Sequence, residues 1–194
     1  MKKALLGFLA MITFAFAGST TSFIPEVEFD EDIRLAGNNT RLDRDMENIY
    51  RNFLSRYFGD MVYRSYFYKL HSTRGGEWDS IVIGAFPITF DTYSMDMIKK
   101  VVWSVIATKL GFVQFEHCLP TLREEERKLY KEYAGVIRES IPRKDNMSFV
   151  KFFYTPYRHF TIGCFRWDDY SSGAYFVKIE VYKPTYNRAI RNSY

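Results

Sequence analysis

The stretch SFVKFFYTPYRHFTIGCFRWDDYSSGAYFVKIEVY, residues 148–182, decides the fold. It contains three runs rich in aromatic and β-branched residues, 148–154, 158–166 and 173–182, which is the composition of strands. Pro156 separates the first two runs, and Asp168-Asp169-Tyr170-Ser171-Ser172-Gly173 supplies turn chemistry between the last two. Connections this short join antiparallel neighbours. Side chains alternate along a strand, so Phe149 and Phe153 point away from Phe152 and Tyr154. Both faces of this sheet therefore carry aromatic rings. Either both are covered, or one presents an aromatic surface.

Upstream of this sheet the pattern changes. Between 40 and 59, Leu42, Met46, Ile49, Tyr50, Phe53, Leu54, Tyr57 and Phe58 recur at spacings of three and four, one stripe of a helix. Thr40 stands at its N-cap position, Glu47 and Arg51 form an i,i+4 pair on its wet side, and Gly59 ends it. Residues 61–71 and 80–88 read as two strands around a glycine-containing linker. Gly84 and Pro87 mark a bulge or an edge in the second. Ser94 then caps a helix to Leu110, with Ile98, Val101, Val102, Val105 and Ile106 as its apolar stripe. Residues 112–118 alternate as a short strand broken by Pro120. A charged helix follows over 121–141, with Leu122, Leu129, Tyr130, Tyr133, Val136, Ile137 and Ile141 facing inward. The resulting order, α-β-β-α-β-α-β-β-β, predicts an α+β fold: a single domain with a mainly antiparallel, curved sheet of about six strands and three helices packed on it.

The first residues read as an address. Met1-Lys2-Lys3 precedes an uncharged run from Ala4 to Ala17 that ends in Ala15-Phe16-Ala17, the three parts of a secretory signal peptide over 1–17. Fourteen apolar residues are short for a bilayer span, which needs about 20. Residues 18–39 form an extended, acidic lead-in, and 40–194 the single domain. The expected location is the periplasm or the medium, with no membrane span after signal removal.

Removing 1–17 takes away Lys2 and Lys3 and lowers the formal net charge from +4 to +2, too little for general attraction to nucleic acid. The charge is uneven. Residues 18–142 sum to −3 and residues 143–194 to +5. Outside the cytoplasm the two cysteines, Cys118 and Cys164, are expected to pair as a disulfide. His117 beside Cys118 points to the opposite side of a strand and is poorly placed to activate it.

Two cysteines and three distant histidines give no zinc-ligand spacing, and no cofactor is implied. Gly-x-Ser-x-Gly, His-Glu-x-x-His and phosphate-cradling glycine loops are missing from the sequence. The compositional oddity is aromatic: 18 Phe, 15 Tyr and 3 Trp. Tyr154, Tyr157, Arg158, Arg166 and Trp167 fall in the two loops flanking one strand, and Tyr and Trp beside Arg are the residues that anchor interfaces. These features predict an exported, soluble binding protein whose aromatic and basic surface on the C-terminal sheet grips an envelope or extracellular protein or ligand. Inhibitor, immunity-type and envelope assembly roles all fit it, and a structural envelope component is a further possibility. The alternative is a small exported hydrolase built on His117 or His159 with Asp168 or Glu116.

Overall fold

A computed structural model of the protein describes residues 27–33, 39–41, 47, 48, 50, 51, 54, 55, 58, 59, 61–70, 77–88, 99–168 and 172–191. The leader read over 1–17 lies outside these residues, as do most of the acidic lead-in and two further acid–base candidates of the sequence, His71 and Asp169.

The fold is α+β, built on one antiparallel sheet. In chain order its elements are β1 (Asn39–Arg41), α1 (Met61–Arg64), β2 (Tyr66–Leu70), β3 (Ser80–Ile88), β4 (Lys99–Phe112), α2 (Phe115–Glu132), β5 (Arg138–Glu139), β6 (Arg143–Lys144), β7 (Ser148–Tyr154), β8 (Arg158–Arg166), β9 (Ala174–Tyr182) and α3 (Lys183–Arg191). The strands lie in the order β1-β2-β3-β4-β9-β8-β7, with β5 and β6 sharing the outer edge of β7. Nine strands thus occupy eight positions, against about six expected. The additions are mainly short edge pieces and β4.

The C-terminal strands have the expected bounds to within a residue. Every position from Arg158 to Arg166 pairs with β9, from Tyr182 to Ala174. Strand β3 also spans the expected residues, and Gly84 does mark a bulge: Gly84 pairs with Ser104 but Ala85 with Val102, so Trp103 is the extra residue. A Cβ on Gly84 would stand 2.2 Å from Ser104 Oγ and 3.2 Å from Trp103 Nε1, so the bulge needs glycine there. Pro87 lies beyond the end of β2, whose pairing stops at Ala85, where its missing N–H costs no ladder bond on that side.

Three expected elements are overturned. The helix over 94–110 is instead β4 from Lys99. It lies in mid-sheet and is buried on both faces, and a fully buried strand has no alternation to betray it. Residues 112–118 are not a strand through Cys118, because α2 begins at Phe115 and carries Pro120 inside it. Phe115, Cys118, Leu122, Glu125 and Leu129 are its buried stripe, at helical spacings of three and four. The helix ends at Glu132 rather than Ile141. Gly135 with φ +80° turns the chain away, so Val136 and Ile141 are exposed at 49% and 88%. At the other end of the chain, α3 follows β9 without a loop and was not anticipated; Pro184 in its first turn was the available signal.

Both faces of the sheet are covered. On one, α2 packs over Phe153, Phe160, Ile162, Cys164 and Phe176. On the other, Tyr50, Leu54, Phe58 and Val62 cover Phe67, Val82, Trp103, Ile106, Val177 and Ile179, with Tyr186 of α3 beside them. Gly59, at φ +62°, donates to the Ser55 carbonyl and ends the helical residues between 47 and 58 as expected. Thr40 belongs to β1 and is no helix cap. The Glu47–Arg51 pair is present at 2.6 Å but lies inside, where Arg51 also donates to the Val62, Tyr63 and Ser65 carbonyls at the end of α1. Residues 27–33 bury Val27, Phe29 and Ile33, and they pair with β4 through Asp30, Glu31 and Asp32. They occupy the flank of β4 that β9 leaves when it turns into α3.

Candidate binding site

Cys118 and Cys164 are bonded, with α-carbons 5.9 Å apart. The bond ties the first turn of α2 to mid-β8. That turn has weak local support: its N-cap, Gln114, makes no side-chain cap, and Pro120 removes an amide donor. The covalent link holds down a helix start that local sequence leaves weak.

Two buried ion pairs continue the fastening. Glu125, the one acid on the buried stripe of α2, meets Lys178 of β9 at 3.0 Å and Lys128 at 2.8 Å. Burial pushes the Glu125 carboxyl up, but the two ammonium groups outweigh it and hold it below the ordinary range. Arg158 pairs with Glu180 and donates to the Tyr133 hydroxyl at 3.2 Å, and its guanidinium lies near the rings of Phe29 and Tyr133. Burial, with the Glu180 charge, pushes the Tyr133 hydroxyl far up.

These contacts redistribute the five residues expected to form one surface. Arg158 is only 8% exposed and belongs to the interior. Tyr154 and Tyr157 are exposed at the β7–β8 turn, where Thr155 Oγ1 accepts from the Tyr157 and Arg158 amides. Arg166 and Trp167 stand at the opposite end of β8, on the order of 30 Å away at about 3.3 Å per residue. There Trp167, 54% exposed, packs on Tyr175 at 4.6 Å, and Tyr175 stacks on Phe165. The Arg166 guanidinium lies over the Phe115 ring at 5.1 Å and approaches Glu116 at 3.9 Å. Arg166 and Trp167 thus share one end of β8, Arg166 against α2 and Trp167 on the opposite face with Tyr175, and both are separated from Tyr154 and Tyr157.

The residues of the hydrolase alternative are equally dispersed. His117 is exposed on α2. His159 points to the other face of the sheet, its ring 6.2 Å from Phe58 and 6.1 Å from Tyr154. Burial, then the Lys183 charge, lowers its pKa to about 4. Asp168 lies exposed beyond the far end of β8. Among the described residues, no group of three His, Cys, Asp or Glu side chains is placed to hold a metal ion.

Sequence reasoning missed a groove of about 320 Å³ between α2 and strands β6 and β7. Phe115, Leu119, Leu122 and Phe149 form its apolar floor, and Arg123, Glu126, Lys144 and Lys151 its rim. Phe115, Leu119, Leu122 and Glu126 follow one another at helical spacing along the side of α2 that faces β7. Lys151 bonds Glu126 at 2.6 Å and Glu139 at 3.2 Å. Burial pulls its ammonium down, but those carboxylates prevail and hold its pKa above the ordinary value. Arg123 and Lys144 have no carboxylate partner among the described residues. The signal was in the sequence, in Leu119 and Arg123 beside the buried stripe, but it required Phe115–Pro120 to be read as helix. No protein-family model, curated protein or solved structure matches this chain.

Proposed function

We propose that this is an exported binding protein that works in an oxidising compartment and engages another envelope or extracellular protein through the Arg166–Trp167 end of the sheet. The leader-like residues 1–17 and the Cys118–Cys164 bond support the compartment. Among the described residues, no helix is long and apolar enough to cross a membrane, which is compatible with this reading. The single observation that carries the binding role is Trp167. It is a large aromatic left 54% exposed and steadied by Tyr175, the kind of side chain that dominates interfaces when a partner covers it. Roles as an inhibitor, an immunity-type protein or an assembly factor all use such a surface.

The test separates the two ends of β8. The oxidised protein is cross-linked in envelope extract as wild type, as Trp167→Ala with Arg166→Ala, and as Tyr157→Ala. The expected result is a cross-linked partner lost with the first variant and retained with the second. An unchanged partner set with the Arg166/Trp167 variant, at unchanged thermal midpoint, overturns the assignment.

A further inference from the structure

We infer that the groove between α2 and β6–β7 binds an alkyl carboxylate of medium chain length, a site separate from the Trp167 surface. Three observations converge. The floor is hydrocarbon: Phe115, Leu119, Leu122 and Phe149 present side chains that desolvate an alkyl chain and offer it no hydrogen bond. The volume, about 320 Å³, lies at the small end of the range for small-molecule sites and suits a short chain rather than a folded partner.

The rim sets the sign of the head group. Of its three cations, Arg123, Lys144 and Lys151, the last is already matched by Glu126 of the rim and by Glu139 beside it. The two cations left over, Arg123 and Lys144, are the ones without a carboxylate partner among the described residues. A carboxylate supplies the charge they lack, a neutral head supplies none, and a cationic head meets repulsion. An apolar trough that ends in excess positive charge is complementary to an amphiphile with one anionic end.

The geometry also makes the site dependent on the oxidised fold. Leu119 and Phe115 lie on the turn that Cys118 fastens to Cys164, so the floor is held in place by the disulfide.

The experiment is calorimetric titration of the oxidised protein with decanoate, decanol and decyltrimethylammonium, each kept below its micellar concentration. Saturable binding of decanoate is expected, about tenfold or more tighter than decanol, with none of the ammonium compound. Arg123→Glu with Lys144→Glu should remove decanoate binding and admit decyltrimethylammonium. Leu119→Trp should fill the groove and abolish decanoate binding, with far-ultraviolet circular dichroism unchanged. Trp167→Ala should leave decanoate binding as it was. Failure of decanoate to bind, equal binding of decanol, or indifference to the Arg123/Lys144 exchange overturns the inference. If the Leu119→Trp chain does not fold, Leu119→Glu gives the same loss by setting a carboxylate in the groove against the decanoate head.

Discussion

The two faces of the sheet are held by different physics. Under α2 the fastenings are discrete: a disulfide, the buried Lys178–Glu125 and Arg158–Glu180 pairs, and the shared Lys151 at the edge. The opposite face meets its cover mainly through shape. Phe58 meets Trp103 edge-on at 5.9 Å and Tyr186 at 5.8 Å, while Leu54 and Phe67 are fully buried beside them. The comparison teaches that a helix with weak ends can be secured by a few directional contacts to the sheet. On the apolar face the contact with the sheet is mainly complementary volume, and the Glu47–Arg51 pair ties the helical residues to one another. The first kind of face responds to redox state and to the loss of one charge. The second responds to added or removed atoms.

The comparison breaks most visibly at Arg158. Replacing Arg158 by Leu takes the guanidinium away from the Glu180 carboxylate, which is 0% exposed, and should cost about 3–5 kcal/mol in denaturant unfolding. If Arg158→Leu is nearly neutral, the α2 face is not held by its charges. Reduction, or Cys118→Ala with Cys164→Ala, comes next. The 46-residue separation sets a loop-closure value of about 4 kcal/mol at most. Hydrogen exchange should show the loss concentrated in the first turns of α2, leaving the Trp103 face protected. Uniform deprotection would erase the distinction.

On the apolar face, Gly84→Ala should cost about 1–3 kcal/mol, because its methyl group meets Ser104 Oγ at the bulge and the packed Trp103 cannot retreat. The smallest effect is a titration. His159 is neutral when folded, with a pKa of about 4, and protonates near 6.5 when unfolded. The unfolded chain therefore binds more protons between those values, and stability falls as pH falls through them. Discounted for the ring's part exposure, the loss is about 1 kcal/mol. His159→Gln should flatten that limb of a urea-midpoint profile. Glu125, whose carboxyl is held below its ordinary value, contributes stability that disappears only at lower pH, as its own folded-state pKa is crossed. Two limbs, one for each face, are expected; a single limb that His159→Gln leaves unchanged would assign the pH response elsewhere.

Legibility followed the same division of local and non-local causes. Strands β7, β8, β9 and β3 were readable because turn residues punctuate them and their side chains are in conflict about facing. Strand β4 was not, because Val101, Val102, Val105 and Ile106 are buried on both sides and fit a helical stripe equally well. The start of α2 was hidden by Pro120, which argues locally for a break that burial of Phe115, Cys118 and Leu122 overrides. Of the five residues expected on one surface, Arg166 and Trp167 stand at one end of β8 and Tyr154 and Tyr157 at the other. Arg158 was assigned outward because nothing local announces that Glu180, 22 residues on, lies across from it.

The sequence by itself determined the class of the fold, the hairpin that ends it and the pairing of its only two cysteines, since turn chemistry and strand periodicity act over a few residues and two thiols leave one intramolecular pairing. Only the tertiary structure decided which side chains face solvent. That depends on which helix lies on which face, and so Arg158 turned inward and the groove opened between α2 and β7. Burial is a property of the assembled layers, and no single segment contains it.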